Sequence, residues 1–250
     1  MTPDNIQFRT GVIKPVDCLK EGWALIKDQY WLFLGIVFVG IFIASAVPLV
    51  LIGPMMAGIY LGYFRKMRGE PVEFGTLFKG FDYFAQSLIA ALIQAIPMVI
   101  VIVPMYILMF VFMMLSVPRG GGRMDPDESA TFAFTFLGFY LVFIVVILIV
   151  AFIVTLFFLF SFPLIADRNL SGLDSVKLSI QAAKANLGGI FGLVLLNFAL
   201  GFLGVLCCYI GAVFLMPVSF ASYAVAYRRV FPETLQNFAS PPPPPANWAA

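Results

Sequence analysis

Histidine is absent from this chain of 250 residues, only 11% of its residues are charged, and cysteine occurs three times. Each shortage excludes a class of chemistry. Without histidine there is no imidazole acid–base catalysis, no Ser-His or Cys-His nucleophile pair and no histidine-ligated metal. The cysteines are an odd number and badly placed for bridging. Cys18 lies in a polar region, while Cys207 and Cys208 are adjacent, a spacing that strains a disulfide. Nothing nearby completes a zinc set. A formal net charge of +2 is too small for a chain that must neutralise nucleic-acid phosphates, so no nucleic-acid partner is expected. Gly-rich phosphate loops ending in Lys-Ser/Thr are missing too. The chain reads as not an enzyme, with no catalytic, cofactor-binding or metal-ligating residue.

What is abundant is apolar surface. Hydrophobic residues make up 62% of the chain and the mean hydropathy is +1.00, where soluble domains run near half apolar and a quarter charged. Lipid must therefore be part of the solvent. The start, Met-Thr-Pro-Asp-Asn-Ile-Gln-Phe-Arg-Thr, has no basic stretch leading into an apolar core. It is expected not to be a cleaved signal, and the apolar run from Trp31 to serve for insertion.

Four apolar blocks stand out, at 31–64, 84–117, 131–166 and 187–227. Each exceeds the ~20 residues that one perpendicular helix needs. Basic residues decide which blocks double back, because cytoplasmic loops collect Lys and Arg. With one crossing per block, the two sides hold eight and seven basic residues. With the first and fourth blocks as hairpins, only Arg119 and Arg123 fall on the far side and the other thirteen of the fifteen share the near side. Pro48, Gly53 and Pro54 interrupt the first block, and Gly201, Gly204, Gly211 and Pro217 the fourth. The prediction is an all-α transmembrane bundle of six spans with both termini cytoplasmic. Eight spans, the runner-up, demand a turn in the third block, whose only breaker is Gly138. Residues 1–14 are expected to be disordered, 15–231 to form the membrane domain, and 232–250, with Pro241–Pro245, to be a disordered proline-rich tail.

A self-similarity links the two ends of the membrane domain. A shift of 157 positions puts Asp17 on Asp174, Lys20 on Lys177, Lys27 on Lys184 and Gly35 on Gly192. Further on, Pro54 matches Pro217, Tyr60 matches Tyr223, and Phe64-Arg65-Lys66 matches Tyr227-Arg228-Arg229. The units, about 15–67 and 172–230, each read as an amphipathic helix followed by a hairpin, flanking a central pair of spans at about 84–166. Both copies start on one side, so the repeat is parallel. A fainter middle copy begins at Phe74, Leu77, Phe78 and Phe81.

The amphipathic stretches 15–29 and 172–186 are expected in the cytoplasmic interface, with Lys20, Lys27, Lys177 and Lys184 reaching toward headgroups. Ser171 with Asp174 resembles a capping box. Gly58 with Gly62, and Gly188 with Gly192, are set for close helix packing. Tyr60, Tyr63, Tyr223 and Tyr227 are assigned to an aromatic belt. Gln94, Thr155 and Asn197 are the deepest polar groups, and Asp167 with Arg168 a charged pair at the interface.

The stretch Gly53-Pro-Met-Met-Ala-Gly58, with Arg68-Gly-Glu70 and Leu77-Phe-Lys-Gly-Phe81, resembles a broad group of uncharacterised bacterial integral membrane proteins. It is also similar to the membrane domain attached to some glycerophosphodiester phosphodiesterases. The 174–186 and 217–231 stretches extend the likeness over most of the chain before the prolines. The resemblance implies a multi-pass helical protein of the bacterial inner membrane; the attached enzyme's catalytic domain has no counterpart here. The expected function is a non-enzymatic module interacting with membrane lipids, with other membrane proteins or self-association as further candidates. The alternative is a small permease or channel lined by Gln94 and Asn197.

Overall fold

The computed structural model describes residues 6–116, 125–206 and 210–233, and these are helical throughout apart from short connections. Helix α1 spans Pro15–Ile26, α2 Tyr30–Ala46 and α3 Ile52–Met67. A 3-10 helix, Phe74–Tyr83, runs into α4, Phe84–Ser116. Then follow α5 (Pro126–Phe158), α6 (Ser161–Arg168), α7 (Gly172–Ala185), α8 (Leu187–Leu206) and α9 (Ile210–Val230). The central loop 117–124, Cys207, Cys208 and the proline tail lie outside the described residues.

Four stretches, Phe74–Leu115, Ser129–Arg168, Leu187–Leu206 and Ile210–Val230, are long and apolar enough to cross a membrane. A fifth is added if α1 and α2, bent by 106° to each other, form one broken span. The six expected crossings count α2 and α3 separately. Those helices have 17 and 16 residues, short of the ~20 that cross a bilayer upright. The eight-span arrangement meets a plain obstacle: α4 and α5 are single helices of 33 residues each, with no reverse turn inside them. Pro97 and Pro104 sit within α4 without ending it.

Local chemistry sets the boundaries. Pro15 opens α1 after an extended Lys14, where its missing N–H costs nothing. The α2–α3 turn passes through Leu49, held at a φ of 72°. Gly53 and Pro54, expected in that turn, instead form the first turn of α3. Asn169 closes α6 in the left-handed region, its N–H donating to the Ile165 carbonyl at 3.0 Å. Ser171 caps α7 by accepting from the Asp174 N–H at 3.2 Å, while its hydroxyl donates to Asp174 Oδ2. A complete capping box, with both reciprocal bonds, is present elsewhere, between Glu73 and Thr76 at the start of the 3-10 helix.

The amphipathic elements pack in a consistent way. Helix α1 lies on α9 and α8, the 3-10 helix lies on α3 and α2, and α7 lies on α4, α5 and α6. Helix α3 is the hub, touching α2, α4, α6, α9 and the 3-10 helix, and most of its residues are buried. The 3-10 helix crosses α3 so closely that a Cβ on Gly58 would stand 1.9 Å from the Leu77 carbonyl oxygen, and one on Gly80 would stand 2.0 Å from that of Pro54. Gly58 is thus used for packing within the chain.

Residues 6–14 depart from the expected disorder. Arg9 N–H donates to the Val230 carbonyl at 2.9 Å, and Gly11 N–H donates to Asn186 Oδ1 at 2.8 Å. Asn186 Nδ2 returns a bond to the Arg9 carbonyl at 3.0 Å, and Ile13 is buried. Buried amide and backbone groups need partners, and these three bonds tie the strap to the α7–α8 corner and the end of α9.

Gly58→Ala is expected to lower stability by about 1–3 kcal/mol through overpacking. Gly138→Ala, where a Cβ meets nothing within 4 Å, is expected to be neutral. Thermal unfolding of the two variants in one detergent checks the contrast.

Candidate functional site

Two polar features interrupt the apolar interior, one charged and one neutral. The charged one gathers the ends of α3, α6 and α9. Asp167, only 8% exposed, accepts two bonds from Arg228, Nη1 to Oδ2 at 3.0 Å and Nη2 to Oδ1 at 2.8 Å. The Tyr227 hydroxyl donates to the same Oδ2 at 2.8 Å. Arg168 Nε stands 3.3 Å from it, and Arg68 Nη1 stands 3.9 Å from Oδ1. Three guanidinium groups and a phenol thus converge on one carboxylate, the arrangement that makes burying a charge tolerable. Arg228 also lies over the Phe64 ring at 4.7 Å, and Arg168 Nη2 donates to the Pro232 carbonyl at 2.8 Å.

The expectation of a plain Asp167–Arg168 interface pair missed Tyr227, Arg228 and Arg68. Sixty residues separate the main partners, and no local spacing announces them. The repeat offered a hint, since it aligns Tyr227-Arg228 with Phe64-Arg65. Nearby surface pairs are of a different kind. Arg68 hydrogen-bonds Glu70 at 2.6 Å and holds that exposed carboxyl below the usual glutamate range. A lowered carboxyl pKa adds stability above its unfolded value, and the gain fades as pH falls through the folded value. Lys66 pairs with Asp28 in the same fashion.

Three of the four tyrosines assigned to an aromatic belt are buried in the structure, and the fourth, Tyr223, is half-buried. Tyr63 and Tyr227 are fully buried, and Tyr60 nearly so. Tyr63 donates to the Pro217 carbonyl at 2.8 Å and stacks on Phe33. The helices bury these rings against one another: Tyr63 and Tyr227 find acceptors inside, and Tyr60 packs on Phe64 and Phe220. Exposed aromatics include Trp23 and Trp31 near α1 and Phe74, Phe78 and Phe81 on the 3-10 helix, with others along the lengths of the long helices.

The neutral feature is a pair of adjoining cavities. One of about 540 Å³ lies between α5, α8 and α9, beside Thr155, Asn197, Gly201, Ser219 and Tyr223. The other, of about 210 Å³, lies inward among α3, α4, α5, α6 and α9, and includes Tyr60 and Gln94. Thr155, Phe220 and Tyr223 line both. No Asp, Glu, Lys or Arg lines either one.

Most of the polar groups there are already bonded. Asn197 Nδ2 donates to the Leu193 carbonyl at 2.9 Å and to Ser222 Oγ at 3.1 Å. Thr155 donates to the Ala151 carbonyl at 2.8 Å, and Ser219 to that of Leu215. Gln94 differs: its Nε2 is buried and has no partner among the described residues. The structure therefore puts Gln94 on one cavity and Asn197 on the other, with Thr155 lining both and Asn197 engaged in joining α8 to α9. No group of three or more Asp, Glu or Cys suited to a metal occurs among the described residues.

Comparison with protein-family models, with curated proteins and with solved structures finds no match.

Asp167→Ala leaves three cations facing one another without their shared counter-ion. It is expected to cost ~3–5 kcal/mol, read as a large fall in thermal midpoint. Glu70→Gln, at an exposed pair, is expected to stay within ~1 kcal/mol of the parent.

Proposed function

We propose that the chain is a six-span integral membrane module with both termini on the side rich in basic residues. It is built of three like units and acts by binding membrane lipid without catalysing a reaction. The units are residues 15–67, 74–168 and 172–230, each a surface helix followed by a hairpin. In keeping with the resemblance of its motifs, we place it in a bacterial inner membrane.

The packing order supports the repeat. The surface element of the second unit sits on the last helix of the first, and that of the third sits on the end of the second. The surface element of the first unit sits on the last helix of the third, which closes a ring. Individual positions agree as well, at offsets of 58 and 99 residues. Val16, Phe74 and Leu173 point outward, 54%, 40% and 55% exposed, whereas Cys18, Thr76 and Ser175 are buried. Gly22, Gly80 and Ser179 are the small buried residues where each element meets its support. Three copies in one direction place the pseudo-symmetry axis along the membrane normal.

One observation carries the lipid-binding reading: every surface element leaves apolar side chains exposed beside exposed lysines. Val16 and Trp23 accompany Lys20 and Lys27; Phe74, Phe78 and Phe81 accompany Lys79; Leu173, with Leu187 at the start of α8, accompanies Lys177 and Lys184. Such a face is stable at the boundary of headgroups and acyl chains, where the carbon is buried and the ammonium groups meet anionic phosphates. Helix α3, too short to span alone, is sheltered by its neighbours, while α2 turns Phe38 and Phe42 outward. The permease alternative meets a lining in which Asn197 is already bonded; solute flux in proteoliposomes that disappears with Asn197→Leu would favour it instead.

Topology is checked in a background with all three cysteines replaced by serine. Arg68→Cys and Lys177→Cys are expected to react with an impermeant maleimide from the same side of the membrane; labelling from opposite sides overturns the six-span arrangement. Replacing Lys20, Lys27, Lys177 and Lys184 with Gln is expected to weaken the preference for anionic over zwitterionic lipid by ~1 kcal/mol per lysine, measured by lipid retention in native mass spectrometry.

A further inference from the structure

We infer that the paired cavities form a binding site for an uncharged amphiphile, its carbonyl held at Gln94 and Tyr223 and its hydrocarbon tail lying between α5, α8 and α9. The inference deepens the lipid-binding reading and rests on the helices being in a bilayer, but not on the surface lysines.

The inner end of the site is a niche of donors. Gln94 Nε2 is buried without a partner among the described residues. Tyr60 and Tyr223 line the same space, and among the described residues neither hydroxyl has a hydrogen-bond partner. A buried amide donor left unmet carries a desolvation penalty, and native interiors keep few of them. The chemistry that satisfies an N–H and two O–H groups is an acceptor oxygen, of which a carbonyl presents two lone pairs.

Depth and charge narrow the ligand further. Gln94 is ten residues into α4, so the niche lies ~15 Å along that helix from its start. Tyr223 is five residues from Arg228, which puts it ~7.5 Å from the ionic cluster along α9. A phosphate or ammonium group drawn to this position would be stripped of water with no counter-ion, because no charged residue lines either cavity. The head must therefore be neutral.

The outer cavity suits the tail. Its walls are mainly Leu, Val, Phe, Met, Ala and Gly, its volume of about 540 Å³ is within the ~300–1,000 Å³ range of ligand sites, and it opens sideways between helices that face lipid. Gly201 contributes an open stretch of wall, where a Cβ would meet nothing within 4 Å. Entry from the bilayer needs no passage through water. Two lipid types share this chemistry, neutral glycerides with ester carbonyls and isoprenoid quinones with ring carbonyls.

The test uses the full chain in phosphatidylcholine nanodiscs with a monoacylglycerol carrying a diazirine in its tail, and cross-linked peptides are mapped by mass spectrometry. Labels are expected in α5, α8 and α9. Gly201→Leu, which fills the outer cavity without touching backbone, and the Gln94→Leu/Tyr223→Phe pair are each expected to reduce labelling about tenfold. Competition by dioleoylglycerol alone identifies an ester lipid, and competition by a short-chain naphthoquinone alone identifies a quinone; either supports the site. Labelling unchanged in Gly201→Leu, labels spread evenly over all lipid-facing helices, or equal competition by headless hexadecane overturns it. Retention of anionic lipid by the same variants serves as the separate readout. If it fails in the parent while site-specific labelling persists, the surface-helix reading falls and the cavity site stands.

Discussion

One buried carboxylate organises the basic face of this molecule. Asp167 receives Arg228, Tyr227 and Arg168 within hydrogen-bonding range and draws in Arg68, so helices separated by a hundred residues in sequence end at one point. In a protein surrounded by lipid, helices gain little from excluding water between them. Packing and polar contacts must then fix their relative positions. The carboxylate does this at the helix ends. Beneath it, the rings of Phe64, Phe160, Tyr227 and Phe231 fill the space between the same helices.

A second constraint operates one layer outward. Each amphipathic element rests on a helix from another part of the chain, and the contacts are close enough to require Gly, Ser or Ala. The Gly58–Gly80 crossing is the tightest, with carbonyl oxygens standing where Cβ atoms would be. Small residues of this sort are often taken as signs of dimerisation. Here their neighbours are found inside the chain: Gly189 receives Ile13 of the N-terminal strap and Gly192 receives Pro15 at the start of α1, while Gly188 meets nothing within 4 Å.

The helical class, the membrane setting and the amphipathic elements were legible in the sequence, because they follow from apolar period and run length. The positions of Lys20, Lys27, Lys177 and Lys184 on exposed faces follow from the same period. What was not legible depends on distance in the chain. Tyr227, Arg228 and Arg68 lie sixty or more residues from Asp167, and the strap at 6–14 is held by Asn186, whose role no local motif signals. Tyr63 and Tyr227 were misassigned because their burial rests on acceptors distant in the chain, the Pro217 carbonyl and Asp167, which is a tertiary fact. Gln94 and Asn197 were recognised as deep polar groups, but only the fold distinguishes the bonded Asn197 from the unmet Gln94.

The unequal helix lengths carry a mechanical consequence. Helices α4 and α5 have 33 residues each, or ~50 Å of rod, whereas α2 and α3 have 17 and 16, or ~25 Å. Embedded in lipid in the proposed six-span arrangement, such a body has one tall wall and one low wall. Acyl chains must stretch beside the first and compress beside the second, at a cost of fractions of a kcal/mol per ångström. The lowest-energy resting place is where the bilayer already grades from thick to thin, so the molecule's own profile biases where in a heterogeneous membrane it settles and which way it faces in the plane.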